Sequence, residues 1–141
     1  MVAALLRVAF GDAMLAVMLP CHSDPQDECD ARLVAETLGL PLAKVDLSGT
    51  YDALVGALGA ENSLSSLALA NVKPRLRMIS LYALARDRRL LVCGTGNKDE
   101  WTVGYFTKHG DSGADLLPLG DLVKGEVRAL AAHLGVPQRV I

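Results

Sequence analysis

Short apolar runs alternate with longer amphipathic segments along the chain. Residues Val2 to Phe10 are mostly apolar and follow no turn or capping residue, so this pattern predicts that the chain starts inside a helix. The next run, Ala13 to Leu19, is continuously apolar and is followed by Pro20, which is typical of a buried parallel strand. Two further runs, Leu42 to Leu47 and Leu90 to Cys93, are predicted to be the second and third strands.

Helical spacing of apolar residues marks the segments between these runs. Asp24 is a candidate N-cap and Pro25 suits a first helical turn, so we predict a helix from there to Gly39. Polar composition predicts a loop from Glu61 to Ser66, and Pro74 is expected in the first turn of the helix that follows. The remaining helices are predicted at Tyr51 to Leu58, Asn71 to Arg89 and Leu122 to Leu134.

The alternation of helices with short strands predicts parallel crossover connections, and therefore an α/β fold with a doubly wound parallel sheet. No linker, repeat or low-complexity segment interrupts residues 1–141, so we expect one domain. Ligands of such sheets bind beyond the carboxyl ends of the strands. The loops after Leu19, Leu47 and Cys93 are therefore expected to form the walls of a site.

Composition narrows the class of protein. The chain has 141 residues, of which 51% are hydrophobic, so it can form one domain with a core. Its net charge of −2 argues against binding along a nucleic-acid backbone, because that function needs a surplus of clustered cations. The longest apolar run is far shorter than a membrane span. We therefore expect neither nucleic acid nor membrane as a partner.

The cysteines indicate a reducing compartment. Cys21, Cys29 and Cys93 are odd in number and lack a disulfide-framework spacing, which favours a cytoplasmic location. A metal site made of Cys21, His22 and Cys29 is an alternative, but the segment has no CxxC pair and no fourth ligand.

A glycine-rich segment after the third predicted strand carries the candidate chemistry. It reads GTGNKDEWTVGYFTKHGD from Gly94 to Asp111. Gly94 and Gly96 allow a close approach of the backbone to a ligand, and Asn97 can cap a following helix whose N–H groups favour an anion. Glu100 is a candidate Mg²⁺ ligand beside phosphates. The alternative is a solvated carboxylate that complements the helix dipole.

Other charged residues give weaker signals. Lys124 stands near a predicted helix start, where the dipole disfavours a cation, and this position indicates phosphate binding. Arg75 alone is typical of an ordinary helix surface. The histidines are more typical of structural or exposed positions than of catalysis, and no base–nucleophile pair emerges. These histidines are His22, His109 and His133.

Three segments together resemble the NAD synthetase family: NVKPRLRM from Asn71, GTGNKDEWTVGYFTKHGDSGADLLPLGDL from Gly94, and KGEVRAL from Lys124. The similarity covers nearly the whole chain and includes a weaker segment from Ser23 to Ala31. The YFTKHGD segment is more similar to the ammonia-dependent form than to the glutamine-dependent form, and no glutaminase domain is expected. The resemblance implies a Rossmann-like fold of the adenine nucleotide alpha hydrolase type.

The resemblance also implies an activity. The family joins ammonia to deamido-NAD at the expense of ATP, through an adenylated carboxyl group that forms as pyrophosphate leaves and then releases AMP. Mg²⁺ neutralises phosphate charge in that adenylation. Thr95 and Lys124 are implied to contact ATP, and Glu100 to bind Mg²⁺. Contacts to deamido-NAD are implied for Arg75, Lys108 and Asp115, with Tyr105 and Asp111 lining the same pocket. A homodimer is implied, with the helix that bears Arg75 at its interface.

Departures from the family pattern suggest a partial site. The family's SGGxDS pyrophosphate loop would precede Met1, and a further ligand-binding segment would follow Ile141, so we expect an internal piece truncated at both ends. The family's first strand would lie between the Ala13–Leu19 and Leu90–Cys93 strands. Met18 stands where some members place a nucleotide-contacting arginine. The alternatives are a non-catalytic deamido-NAD-binding or dimerisation module, and another ATP pyrophosphatase of the same fold.

Overall fold

Helices make up most of the molecule, and a computed structural model describes residues 1–59 and 63–141. These described residues contain the strands β1 (Ala16–Met18) and β2 (Leu42–Lys44), and a 3₁₀ turn, Gln138–Val140, follows helix α6. The helices are α1 (Val2–Phe10), α2 (Pro25–Leu38), α3 (Ser48–Gly59), α4 (Ser66–Arg88), α5 (Lys98–Val103) and α6 (Lys124–His133). Within these two described ranges, no helix combines the length and the apolar content needed to cross a membrane.

The sheet is parallel, as predicted. β1 pairs with β2 in a register that sets Ala16 opposite Leu42 and Met18 opposite Lys44, and α2 forms the crossover between them. A crossover helix between parallel strands is the unit of a doubly wound fold.

The predicted third strand, Leu90 to Cys93, is wrong as a regular strand. Only an isolated parallel bridge joins Cys93 to Leu116. The reason lies in the partners of Val92: its N–H donates to the Asp115 carboxylate at 2.8 Å, and its carbonyl accepts from the N–H groups of Asp115 and Leu116. A side chain and a short loop therefore replace the neighbouring strand that a ladder requires.

The core joins the first helix to the last. One buried cluster contains Val2, Leu119 and Val127, and a second contains Ala4, Ala131 and Val136. Both clusters therefore link α1 to α6 or to the segments that flank it. This packing brings the first turn of α1 close to the loops that precede α6.

The predicted limits of α2 are confirmed. The Asp24 carboxylate accepts a hydrogen bond from the Gln26 N–H at 2.8 Å, and Pro25 is the first helical residue. Gly39 ends the helix in the left-handed conformation, at φ 60°. Each capping signal in the sequence therefore acts where it was expected.

The predicted start of α4 is wrong. The helix begins at Ser66, where the Ser65 hydroxyl accepts from the Ala68 N–H at 3.2 Å, and Pro74 lies inside it instead of in its first turn. The apolar SLALA run before Asn71 continues the helix without a charge to mark its start. The predicted Glu61–Ser66 loop lies partly outside the described residues, and its last residue belongs to α4.

Candidate functional site

A pocket of about 350 Å³ lies between the first turn of α1, the segment that leads into α5, and the start of α6. Met1, Val2, Leu119 and Val127 line its apolar side. The predicted site residues that line it are Thr95, Glu100, Tyr105, Asp111 and Lys124. The fold therefore gathers most of the candidate residues from three separate loops and helices into one cavity.

Asn97 and Glu100 orient each other at the start of α5. The Asn97 side-chain oxygen accepts from the Glu100 N–H at 3.0 Å, and the Glu100 Oε2 accepts from the Asn97 N–H at 2.9 Å. Asn97 is only 2% exposed, so the hydrogen bonds of this capping box are shielded from water. It fixes one oxygen of Glu100 and leaves Oε1 facing the pocket, 3.6 Å from the Lys124 Nζ.

Lys124 is the first residue of α6, and its backbone is held from α5. Its N–H donates to the Asp99 carboxylate at 2.8 Å, and the Val123 N–H donates to Glu126 at 2.9 Å. Asp99 therefore caps a helix other than its own, which fixes α5 against α6. The sequence interpretation missed Asp99, and its only sequence signal is the acidic pair that follows the Asn97 cap.

Arg75, a residue of α4, contacts the loop that contains Lys108. Neither residue lines this pocket. The Arg75 Nε donates to the Lys108 carbonyl at 3.3 Å. Thr107 ties the same loop to α4 through the Asn71 side chain, at 2.8 Å, and its N–H donates to Asp111 at 2.8 Å. Asp111 therefore connects the loop held by Arg75 with the pocket that it lines. Asn71 opens the NVKPRLRM segment but was not among the predicted site residues.

Asp115 has both carboxylate oxygens engaged within the chain. Oδ1 accepts from the Tyr82 hydroxyl at 3.1 Å, and Oδ2 accepts from the Val92 N–H at 2.8 Å. Burial of the Tyr82 hydroxyl raises its pKa, and the hydrogen bond to Asp115 adds to the effect. Asp115 thus joins α4 to the segment before Gly94, and it does not line the pocket.

The glycines of the motif allow the chain to pack against itself. A Cβ on Gly94 would lie 2.7 Å from Leu117 Cδ2 and 2.8 Å from Ala114 Cβ, and one on Gly96 would lie 2.8 Å from Trp101 Nε1. Neither glycine has a positive φ. The neighbours that crowd an added side chain at these two positions are protein atoms, and the close approach of the backbone to a ligand stays a prediction.

His22, Cys21 and Cys93 have structural surroundings, and His109, His133 and Cys29 are exposed. His22 Nε2 lies 2.7 Å from the Asp52 carboxylate, and its ring packs edge-on against Tyr51. All three cysteines are free thiols, and burial raises the pKa of Cys21 and of Cys93. In the described part of the chain, no group of three or more His, Cys, Asp or Glu side chains is arranged to hold a metal ion.

The model of the NAD synthase family matches residues 1–141. The chain belongs to this family. The NH(3)-dependent NAD(+) synthetase of Carboxydothermus hydrogenoformans is 48% identical over 142 residues, which cover 99% of this chain and 58% of that protein. The structure of NMN synthetase from Francisella tularensis matches with a TM-score of 0.90 and 37% identity, over 99% of this chain and 58% of that chain.

A second solved structure is the NH3-dependent NAD synthetase from Campylobacter jejuni in complex with the nitrate ion, with a TM-score of 0.89 and 31% identity over 98% of this chain. These neighbours confirm the predicted Rossmann-like α/β fold. The chain spans 58 to 59% of the length of these three relatives. The matched region includes the segments that line the pocket, since it covers nearly all of the chain.

Proposed function

We propose that this chain carries part of the site at which deamido-NAD is amidated with ammonia, at the expense of ATP, to give NAD, AMP and pyrophosphate. The observation that carries the proposal is the single pocket, in a member of the NAD synthase family, that gathers the Thr95 hydroxyl, the Glu100 carboxylate and the Lys124 ammonium group. The reaction forms a C–N bond, so the whole protein is a ligase of the ammonia-dependent type. Residues 1–141 form the partial catalytic domain.

ATP phosphates would lie at the start of α6. The Lys124 side chain is 54% exposed and lines the edge of the pocket. The Thr95 hydroxyl can donate to the same nucleotide. The Lys124 ammonium group would stabilise charge that develops as pyrophosphate leaves.

The donor set fits Mg²⁺ in the manner usual for nucleotide enzymes. Mg²⁺ commonly takes one or two carboxylates and completes its shell with phosphate oxygens and water. Glu100 Oε1 is a carboxylate oxygen that faces the pocket, while Oε2 stays in the capping box. When bound, Mg²⁺ would neutralise phosphate charge.

Deamido-NAD would bind beside α4 and the loop that Arg75 holds. Arg75, whose Nε donates to the Lys108 carbonyl, and Lys108 would supply cations for its phosphates. Tyr105 and Asp111 line the pocket that its reacting end would enter. A contact of Asp115 with this substrate stays a prediction, since both of its carboxylate oxygens accept hydrogen bonds within the chain. The substrate carboxylate attacks the α-phosphorus of ATP and pyrophosphate leaves. Ammonia then attacks the acyl adenylate, AMP leaves, and the nitrogen loses a proton.

The biological unit is proposed to be a cytoplasmic homodimer. Helix α3 has no buried residue, and α4, with 23 residues, buries only Ala85. Apolar side chains of both helices are exposed, including Leu67 and Ile79. A second copy packed on this surface would cover them. The free thiols favour a reducing compartment.

Separate titrations test the site. We expect the purified chain to bind deamido-NAD and to bind MgATP weakly, with saturation-transfer NMR as the measurement. Lys124→Ala should weaken MgATP binding about tenfold, as expected for loss of a charge-assisted contact. Lys98→Ala is the matched control, because Lys98 is the exposed first residue of α5 and does not line the pocket. Equal loss in both variants would contradict the assigned role of Lys124.

Ligation assays test the reaction and the partial site. With deamido-NAD, MgATP and an ammonium salt, we expect NAD formation far below that of the matched Carboxydothermus relative. Robust turnover by the 141-residue chain would overturn the partial-site proposal. Deamido-NAD binding without any AMP release would favour the alternative, a non-catalytic binding or dimerisation module. The acid counterpart of NMN should be assayed in parallel, because one similar structure is an NMN synthetase.

A further inference from the structure

Two arginines of α4 hold two different loops. Arg75 donates to the Lys108 carbonyl at 3.3 Å, and Arg77 donates through Nε to the Leu19 carbonyl at 2.9 Å and through Nη2 to the Ser23 hydroxyl at 3.2 Å. Side chains two positions apart on a helix point about 200° apart. Helix α4 therefore lies between the two loops and holds one on each side.

The loop of residues 19–23 is held at both ends by the same guanidinium group. Leu19 directly follows β1, and Ser23 directly precedes the N-cap of α2. The Ser23 hydroxyl also accepts from the Cys21 N–H at 3.3 Å. Because the guanidinium group is planar and donates to two neutral acceptors, it fixes both the distance and the orientation of the loop relative to α4. The ammonium group of a lysine would not fix the orientation.

This loop follows the carboxyl end of β1, the end of a parallel strand beyond which ligands bind, and residues on either side of the loop line a second cavity. The cavity has a volume of about 490 Å³, and Met18 and Asp27, which flank the loop in sequence, both line it. A shift of residues 19–23 would therefore move the end of β1 relative to the first turn of α2. Arg77 contacts the loop and lines neither cavity, so any effect on a ligand must pass through the loop.

We propose that Arg77 is a positioning residue for nucleotide binding: it sets the conformation of residues 19–23, and with Arg75 it makes α4 a brace between that loop and the Lys108 loop. The conformational part of this proposal stands on geometry alone. The nucleotide part rests on the proposed function.

Hydrogen exchange of the full chain, read by mass spectrometry, tests the conformational part. Arg77→Ala should speed exchange in residues 21–24 by about tenfold to a hundredfold, the range expected for lost hydrogen bonds to a charged donor. Residues 104–113 should be unchanged, whereas Arg75→Ala should give the reverse pattern. Arg86→Ala is the matched control, since Arg86 is an exposed residue of α4 and makes no side-chain hydrogen bond within the described residues.

Two further variants keep the test decisive if Arg77→Ala does not fold. Ser23→Ala removes one acceptor and should speed exchange in the same residues. Arg77→Lys keeps the charge without the fork, so it should restore only part of the protection. Unchanged exchange at 21–24 in Arg77→Ala or Ser23→Ala, an equal increase in both loops, or full protection in Arg77→Lys would each overturn the proposal.

MgATP titration tests the nucleotide part. Arg77→Ala should bind MgATP about tenfold more weakly than the unchanged chain, and Arg86→Ala should bind it equally well. Equal affinity in Arg77→Ala with a loosened loop would overturn the positioning role. If the unchanged chain binds no MgATP, the proposed function fails, and the exchange experiment still decides what Arg77 does to the loop.

Discussion

At the scale of single residues, Gly94 is constrained by the side chains around it. Its missing Cβ would lie within 2.8 Å of both Leu117 and Ala114, and the Ala114 Cβ is fixed to the backbone. Gly94→Ala should therefore lower the free energy of unfolding by about 1–3 kcal/mol, as is usual for overpacking. Urea unfolding followed by circular dichroism measures the change.

Gly125→Ala is the matched control for that substitution. Gly125 lies inside α6 with no atom within 4 Å of the added Cβ, so the change should stabilise the chain by about 0.5–1 kcal/mol. A Gly94→Ala variant as stable as the unchanged chain would show that the segment 114–117 yields easily.

Tyr82 should make stability depend on alkaline pH. Burial and the Asp115 carboxylate raise the pKa of the phenol in the folded chain above its unfolded value, which is roughly 10. The folded state therefore holds the proton more tightly, and this contribution is complete below the unfolded pKa and is lost as pH rises through the folded pKa. Urea midpoints between about pH 8 and pH 11 should fall less steeply in Tyr82→Phe.

The same variant has a separate cost that does not depend on this titration. Loss of the hydrogen bond to Asp115 should lower stability near pH 8 by about 0.5–1.5 kcal/mol. If the urea midpoint of Tyr82→Phe falls with rising pH as steeply as that of the unchanged chain, titration of Tyr82 does not contribute to the loss of stability.

At the scale of elements, Pro74 interrupts an otherwise regular α4. A proline inside a helix lacks the N–H that would bond to the carbonyl four residues earlier, and its ring crowds that carbonyl, at a cost of about 3 kcal/mol. Proline also restricts the unfolded chain, which offsets about 0.4–1 kcal/mol of that cost. Pro74→Ala should therefore stabilise the chain by about 2–2.6 kcal/mol, the difference between these effects.

Thermal unfolding checks the Pro74 prediction, with Ala70→Pro as the opposite change one turn earlier in the same helix. That second variant should lower the melting temperature. A lower melting temperature in Pro74→Ala would instead indicate that the ring's packing beside Gly110 outweighs its backbone cost.

The elements that were predictable from the sequence are those with local signals. Asp24, Pro25 and Gly39 act on backbone within a few residues of themselves, so the limits of α2 followed from the local sequence. The Leu90–Cys93 strand did not, because a ladder depends on a partner that is distant in sequence, and here Asp115 takes that place. The site residues could be predicted because they stand in a recognisable motif. The contacts of Asp99 with the start of α6 and of Arg77 with the loop after β1 could not, because they join residues that are distant in sequence and no periodic pattern marks them.

At the scale of the whole molecule, exposed surface predicts association. A folded monomer of 14.9 kDa exposes about 7,000 Å². This chain exposes 8670 Å², so roughly 1,700 Å² more than expected is open to solvent. A standard interface buries about 800 Å² per partner. A homodimer would therefore cover only about half of the excess.

Sedimentation velocity across a concentration series should show a dimer, and Ile79→Glu, on the exposed surface of α4, should shift it toward monomer. Arg86→Glu, also on α4, is the control for added negative charge and should leave the dimer in place if apolar contact drives it. Because one interface leaves about half of the excess exposed, the dimer should still bind the dye ANS. A monomer at high concentration that binds no ANS would show that the exposed apolar side chains need no partner.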